Sequence, residues 1–269
     1  MSLLGALFLG AVQGLTEFLP ISSSGHLAVF EHYIDVGGQN LAFDLLLHLG
    51  TLVPVLIVFR ADLLRMLTDP LRGEGPMLQR DGTRWLLYVV IASVPTAIMG
   101  VLLKDYFETT LSGFYALSWQ FAVTAIALQG TSRLPAGTRT IRDMTWKDAL
   151  IIGVAQGIAI LPAVSRSGST IVTAVALKLD RDLAGRFSFV ISVPAILGAC
   201  LLELRHLVED GGVDPGLLPA WTGGALVSLV VGWISLTFLL KVIRAGNFGV
   251  FGWYCWGMAA VCAAIGMQG

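Results

Sequence analysis

A carboxylate, an imidazole and a guanidinium stand in two short blocks of this chain that are versions of one another. The first, QGLTEFLPISSSGH, runs from Gln13 to His26, and the second, QGIAILPAVSRSGST, from Gln156 to Thr170. Both open on Gln-Gly, reach Leu-Pro a few residues later and close on Ser-x-Ser-Gly, at Ser22–Gly25 and Ser165–Gly168. The first block supplies Glu17 and His26, the second Arg166 and Thr170. A duplicated scaffold carrying complementary acid, imidazole and cation points to chemistry on an anion.

Glu17 follows Gln13 by four residues, so on a helix both side chains leave the same face. A carboxylate at bilayer depth costs about 3 kcal/mol on insertion scales, which favours a functional role over an incidental one. The plainer alternatives are a hydrogen bond to freed backbone or exposure at the interface. His26 follows Gly25 where a second short helix should start, and an imidazole there is suited to act as acid, base or nucleophile near neutral pH. A polar helix cap is the plainer reading. Its counterpart in the second block is Ser169, so the scaffold itself has no need of an imidazole. Arg166, among Ser165, Ser167, Ser169 and Thr170, brings a guanidinium, hydroxyls and backbone N–H groups to a helix start, the makings of a phosphate cradle. Ser22, Ser23 and Ser24 offer a nucleophile, although serines at such positions commonly cap helices. His32, His48 and His206 lack comparable context, and Asp44 is left without a role.

The elements that position these groups must lie in a membrane. Of the 269 residues 55% are hydrophobic and 13% charged, and the mean hydropathy is +0.78. This describes an all-α polytopic membrane protein. A net charge of −1 gives no footprint for nucleic acid. The cysteines Cys200, Cys255 and Cys262 fall in apolar runs without disulfide or metal-ligand spacing and read as buried thiols. Leu3–Leu19 lacks a basic flank and is not expected to be a cleavable signal peptide.

Apolar stretches suited to crossing the bilayer occur at Leu41–Phe59, Trp85–Leu103, Phe114–Gln129, Arg186–Leu202, Trp221–Leu240 and Val250–Met267. That gives about six transmembrane helices. The two blocks lie in weaker segments, each broken by Leu-Pro and a Ser/Gly run that cannot continue a lipid-facing helix. Each is therefore expected to form a re-entrant hairpin of two short helices. Most Lys and Arg gather in four connections: Arg60–Arg84, Arg133–Lys147, Lys178–Arg186 and Lys241–Arg244. The intervening connections carry Asp105, Glu108, Glu203, Glu209, Asp210 and Asp214. Placing the basic loops in the cytoplasm opens the first hairpin to the outer face and the second to the cytoplasm. The whole chain, 1–269, then forms a single integral membrane domain of inverted repeats, about 1–130 and about 149–269. Broken helices in corresponding positions of two halves mark a site where the halves meet.

QGLTEFLPISSSGH resembles the Glu/Gln-x-x-x-Glu motif and adjoining Ser-Ser-x-Gly-His of the undecaprenyl-pyrophosphate phosphatase, or bacitracin-resistance, family. PAVSRSGST is similar to that family's Pro-Gly-x-Ser-Arg-Ser-x-x-Thr motif, and FDLLLHLGT and RFSFVISVPAI extend the likeness over most of the chain. Gln13 stands where the family often has its first Glu, which removes one metal-binding carboxylate, and Ala163 replaces the usual glycine. The resemblance implies hydrolysis of a C55 isoprenyl pyrophosphate to the monophosphate carrier for cell-wall synthesis. It places the site in the bacterial cytoplasmic membrane, reached from the outer face. Glu17, His26 and Arg166 would be essential, with Ser23 or His26 the nucleophile. Ser22, Ser24, Ser165, Ser167 and Thr170 would contact phosphate. A divalent cation, Mg or Ca, would be held near Glu17 and Gln13. The implied partners are the polyprenyl pyrophosphate and membrane lipids, with a homodimer allowed. The competing class is a polyprenyl-phosphate flippase on the same scaffold, which would use the arginine and hydroxyls but needs neither nucleophile nor acid–base pair.

Overall fold

The computed structural model describes residues 1–34, 40–72, 76–209 and 214–268, with the side chains at 40, 41, 72, 108 and 206–209 outside the described set. The side chains of Glu108, His206 and Glu209, and Asp210 as a whole, therefore lie outside the described residues. The described chain is helical: α1 Leu3–Phe18, α2 Ser23–Glu31, α3 Asn40–Val58, α4 Arg60–Arg72, α5 Asp81–Thr110, α6 Phe114–Thr131, α7 Trp146–Ile158, α8 Arg166–Ala176, α9 Arg181–Glu209, α10 Leu218–Ala245 and α11 Val250–Gly266.

Each of the six apolar stretches is helical. Among the described residues three helices, α5, α9 and α10, are long and apolar enough to cross a membrane. The pair α3–α4 passes the same test together, bent by 68° at its break. The basic connection after Phe59 thus contains a helix, α4, that loop charge alone does not reveal. Helices α1 and α11 are shorter apolar segments. Large side chains such as Leu102, Leu201 and Trp253 are 72%, 71% and 72% exposed, as expected of a surface that faces lipid. This is a multi-pass membrane protein.

Local sequence sets the helix ends. Thr145 and Asp148 close a reciprocal capping box at the start of α7. Ser165 Oγ accepts from Gly168 N at 3.0 Å to cap α8, and Ser22 Oγ accepts from Gly25 N at 3.4 Å to cap α2. The chain cannot carry α1 past Phe18, because Pro20 disfavours a helical residue before it.

Packing between the two halves is exchanged. Helix α1 lies along α10, and α7 lies along α5. Glycine permits both approaches. A Cβ on Gly10 would sit 2.1 Å from Gly224 O, and one on Gly153 would sit 2.2 Å from Ala92 O. Gly10 and Gly153 hold the same position before the Gln-Gly of their blocks, so each block is backed by a helix of the other half. Helix α6 packs on α11, and α3 on α9. The three cysteines are buried and free, as their setting in the sequence suggests.

Candidate active site

The breaks between α1 and α2 and between α7 and α8 touch. Ser22 Oγ donates to Pro162 O at 2.7 Å, and Ser167 Oγ to Leu19 O at 3.4 Å. Gly25 lets them close, since a Cβ there would lie 2.7 Å from Phe121 Cζ and 3.0 Å from Ala163 Cβ. Ser22 has φ 66°, a left-handed conformation unusual for serine and of a kind that gathers at functional sites.

Glu17 is the centre of the arrangement. Its buried carboxylate receives Gln13 Nε2 at 3.0 Å, Ser23 Oγ at 2.6 Å and the guanidinium of Arg166 from the other break. Removing a carboxylate from water is costly unless charge and hydrogen bonds replace the solvent, and these donors do so. Two groups of the first block and one of the second therefore share a single carboxylate.

His48, without context in the sequence, also belongs to this cluster. Its Nδ1 donates to Asp44 O at 2.8 Å, and its Nε2 stands 3.6 Å from Glu17 Oε2. Asp44 contributes through that carbonyl. The only sequence signal for His48 was its place in FDLLLHLGT.

His26 is buried within the same hairpin, its Nδ1 2.6 Å from Ser22 O and its Nε2 2.8 Å from the hydroxyl of Tyr254 on α11. The predicted phosphate ligands are placed as follows. Ser22 and Ser167 tie the breaks together, and Ser165 caps α8. Thr170 Oγ1 donates to Arg166 O at 2.9 Å and meets Ser188 Oγ. Ser24 is exposed.

Helix α6 holds the second break by its backbone. Gln120 Oε1 accepts from Ala163 N at 2.8 Å, while its Nε2 donates to Leu111 O at 2.8 Å. Thr124 Oγ1 accepts from Ser165 N at 3.1 Å and donates to Ala163 O at 3.2 Å. Neither residue has a signal in the sequence beyond being polar in an apolar helix.

Arg166 and Glu17, from the two motifs, meet across the two breaks. The likeness extends well beyond these motifs: the family model described as "Bacitracin resistance protein BacA" matches residues 6–261. The chain belongs to this family. It is 40% identical over 252 residues to the undecaprenyl-diphosphatase of Carboxydothermus hydrogenoformans, covering 93% of this chain and 92% of that one. Over 257 residues it is 37% identical to the undecaprenyl-diphosphatase of Halothermothrix orenii, covering 95% of each. It is also 34% identical over 261 residues to undecaprenyl-diphosphatase 4 of Bacillus thuringiensis, covering 97% of this chain and 96% of that one.

A divalent cation can be tested against the donors of this BacA-family site. Among the described residues no three His, Cys, Asp or Glu side chains converge to form a protein cage. Gln13 Oε1, however, is buried with no hydrogen-bond partner beside the Glu17 carboxylate. One carboxylate and one amide oxygen suit a hard cation that takes its remaining ligands from water and substrate phosphates.

Proposed function

We propose that this protein hydrolyses undecaprenyl pyrophosphate to undecaprenyl phosphate and inorganic phosphate, returning the lipid carrier to cell-wall synthesis and conferring resistance to bacitracin. The observation that carries this reading is the meeting of Arg166, Ser23 and Glu17 at the contact of the two breaks. A guanidinium for phosphate charge, a hydroxyl and a carboxylate base stand within one hydrogen-bonded cluster. A flippase would use the first but has no need of the hydroxyl–base pair.

In the mechanism, Arg166 turns from Glu17 to the terminal phosphate, where its planar donors pair with phosphate oxygens. Ser23 Oγ, already donating to Glu17, attacks the terminal phosphorus and gives its proton to that carboxylate. The bond from this phosphorus to the bridging oxygen breaks, releasing the lipid monophosphate. Water, deprotonated by His26, then attacks the phosphoserine phosphorus; the bond from phosphorus to Ser23 Oγ breaks, Glu17 returns its proton to that oxygen, and phosphate leaves. Backbone N–H groups at the starts of α2 and α8, with Ser165 and Thr170 nearby, surround the phosphates. Gln13 Oε1 and Glu17 would hold a Mg or Ca ion, which would offset pyrophosphate charge when bound.

The exchanged packing of α1 on α10 and α7 on α5 supports inverted repeats, with α1–α2 and α7–α8 as re-entrant hairpins among about six membrane crossings. With the basic connections in the cytoplasm, the protein resides in the bacterial cytoplasmic membrane and takes its substrate at the outer face. Phosphate release from a polyprenyl pyrophosphate by purified protein, with and without chelator, tests the function. No release with any divalent cation, together with transfer of lipid phosphate across a bilayer, would establish the flippase instead.

A further inference from the structure

Tyr254 approaches the site from α11, and its hydroxyl meets the one nitrogen of His26 that is available for chemistry. Nδ1 lies 2.6 Å from Ser22 O. A carbonyl only accepts, so Nδ1 carries the proton of that contact. In the neutral ring Nε2 then holds the lone pair, and the phenol 2.8 Å away donates to it. Phe121 presses on the imidazole edge-to-face, with ring centres 5.5 Å apart. The Tyr254 ring is nearly parallel to the imidazole, 11° from its plane.

Burial separates the two partners. His26 is only 2% exposed, whereas Tyr254 is 47% exposed. The phenol thus stands between the buried lone pair and the outer surface of the helix bundle. Packing alone does not require the hydroxyl to turn inward, since Trp253 beside it is 72% exposed.

We propose that Tyr254 is a positioning residue for hydrolysis. It holds His26 as the Nδ1–H tautomer and covers Nε2 until water or a phosphate oxygen replaces the phenol. This rests on the reading of His26 as an acid–base group.

The test uses full-length protein labelled with ¹⁵N-histidine in lipid nanodiscs, which contains four histidines. His26→Gln assigns the His26 signals. The expected result is a protonated Nδ1 and a hydrogen-bonded, unprotonated Nε2. In Tyr254→Phe the Nε2 signal should move toward that of a free lone pair while Nδ1 stays in place. Incorporation of 3-fluorotyrosine, whose hydroxyl is the stronger donor, should move Nε2 the opposite way. Turnover of Tyr254→Phe should fall about fivefold to tenfold in kcat, the scale of one hydrogen bond, with KM little changed. A proton on Nε2 in the unsubstituted protein, or an Nε2 signal unmoved by fluorotyrosine, would overturn the proposal. The fluorotyrosine protein decides the matter should Tyr254→Phe fail to fold. Full turnover in His26→Ala would instead remove the acid–base reading, while the ¹⁵N signals still report the tautomer and its partner.

Discussion

Ser23 and Arg166 occupy equivalent positions of the duplicated blocks, each just before a Ser-Gly pair, and both are bound to the carboxylate of Glu17. The two equivalent positions thus meet at one carboxylate, one offering a nucleophile candidate and the other a cation.

Arg166→Lys keeps the charge but loses the planar fork that pairs with phosphate oxygens. It should lose most turnover, on the order of 10-fold to 100-fold in kcat/KM. Near-normal kcat/KM in the folded Lys variant would remove Arg166 from the site.

Ser23→Ala and Glu17→Gln separate nucleophile from base. Each should lower phosphate release by on the order of 10²-fold or more, while binding of lipid pyrophosphate falls less because Arg166 remains. Substantial turnover in Ser23→Ala would shift the attack to His26 or to water.

Gly10→Ala tests the exchanged packing. The new Cβ would meet Gly224 O at 2.1 Å, so α1 and α10 must part, at a cost of roughly 1–3 kcal/mol. Gly130→Ala on α6, with nothing within 4 Å, is the comparison. Equal thermal midpoints for the two variants would contradict the close approach.

Asp148 links acid stability to the start of α7. Burial works to raise its carboxyl, but hydrogen bonds from Arg139 and Thr145 outweigh it and hold Asp148 below the usual carboxylate range. A group lowered in this way stabilises the fold above its unfolded value, and the contribution is lost as pH falls through the folded one. Thermal midpoints of the unsubstituted protein should therefore drop as pH is lowered through and below the ordinary carboxylate range. Asp148→Asn should be weaker at neutral pH and respond less to acid. An unchanged acid response would exclude Asp148 as a source.

Cysteines introduced at Leu71 and Asp214 report topology, since the three native thiols are buried. The first should label only from the cytoplasm and the second only from outside. Labelling of both from one side would overturn the inverted arrangement.

The sequence alone determined the features that rest on neighbouring residues. Pro20 and Pro162 mark the breaks, Ser22 stands where serines cap helices, and four-residue spacing puts Gln13 and Glu17 on one face. Each follows from backbone hydrogen bonding and helical period, which act within a few residues. The apolar stretches likewise announced their helices, because lipid leaves no other partner for the backbone. Tertiary structure alone decided which distant side chains complete the site. His48, Gln120, Thr124 and Tyr254 are single polar residues in apolar helices, and nothing local separates them from interfacial or lipid-facing ones. Tyr254 reaches His26 across 228 positions only because α11 packs beside the first hairpin. That placement depends on helix packing over the whole bundle, where close approach and complementary shape, rather than local sequence, fix which residues meet.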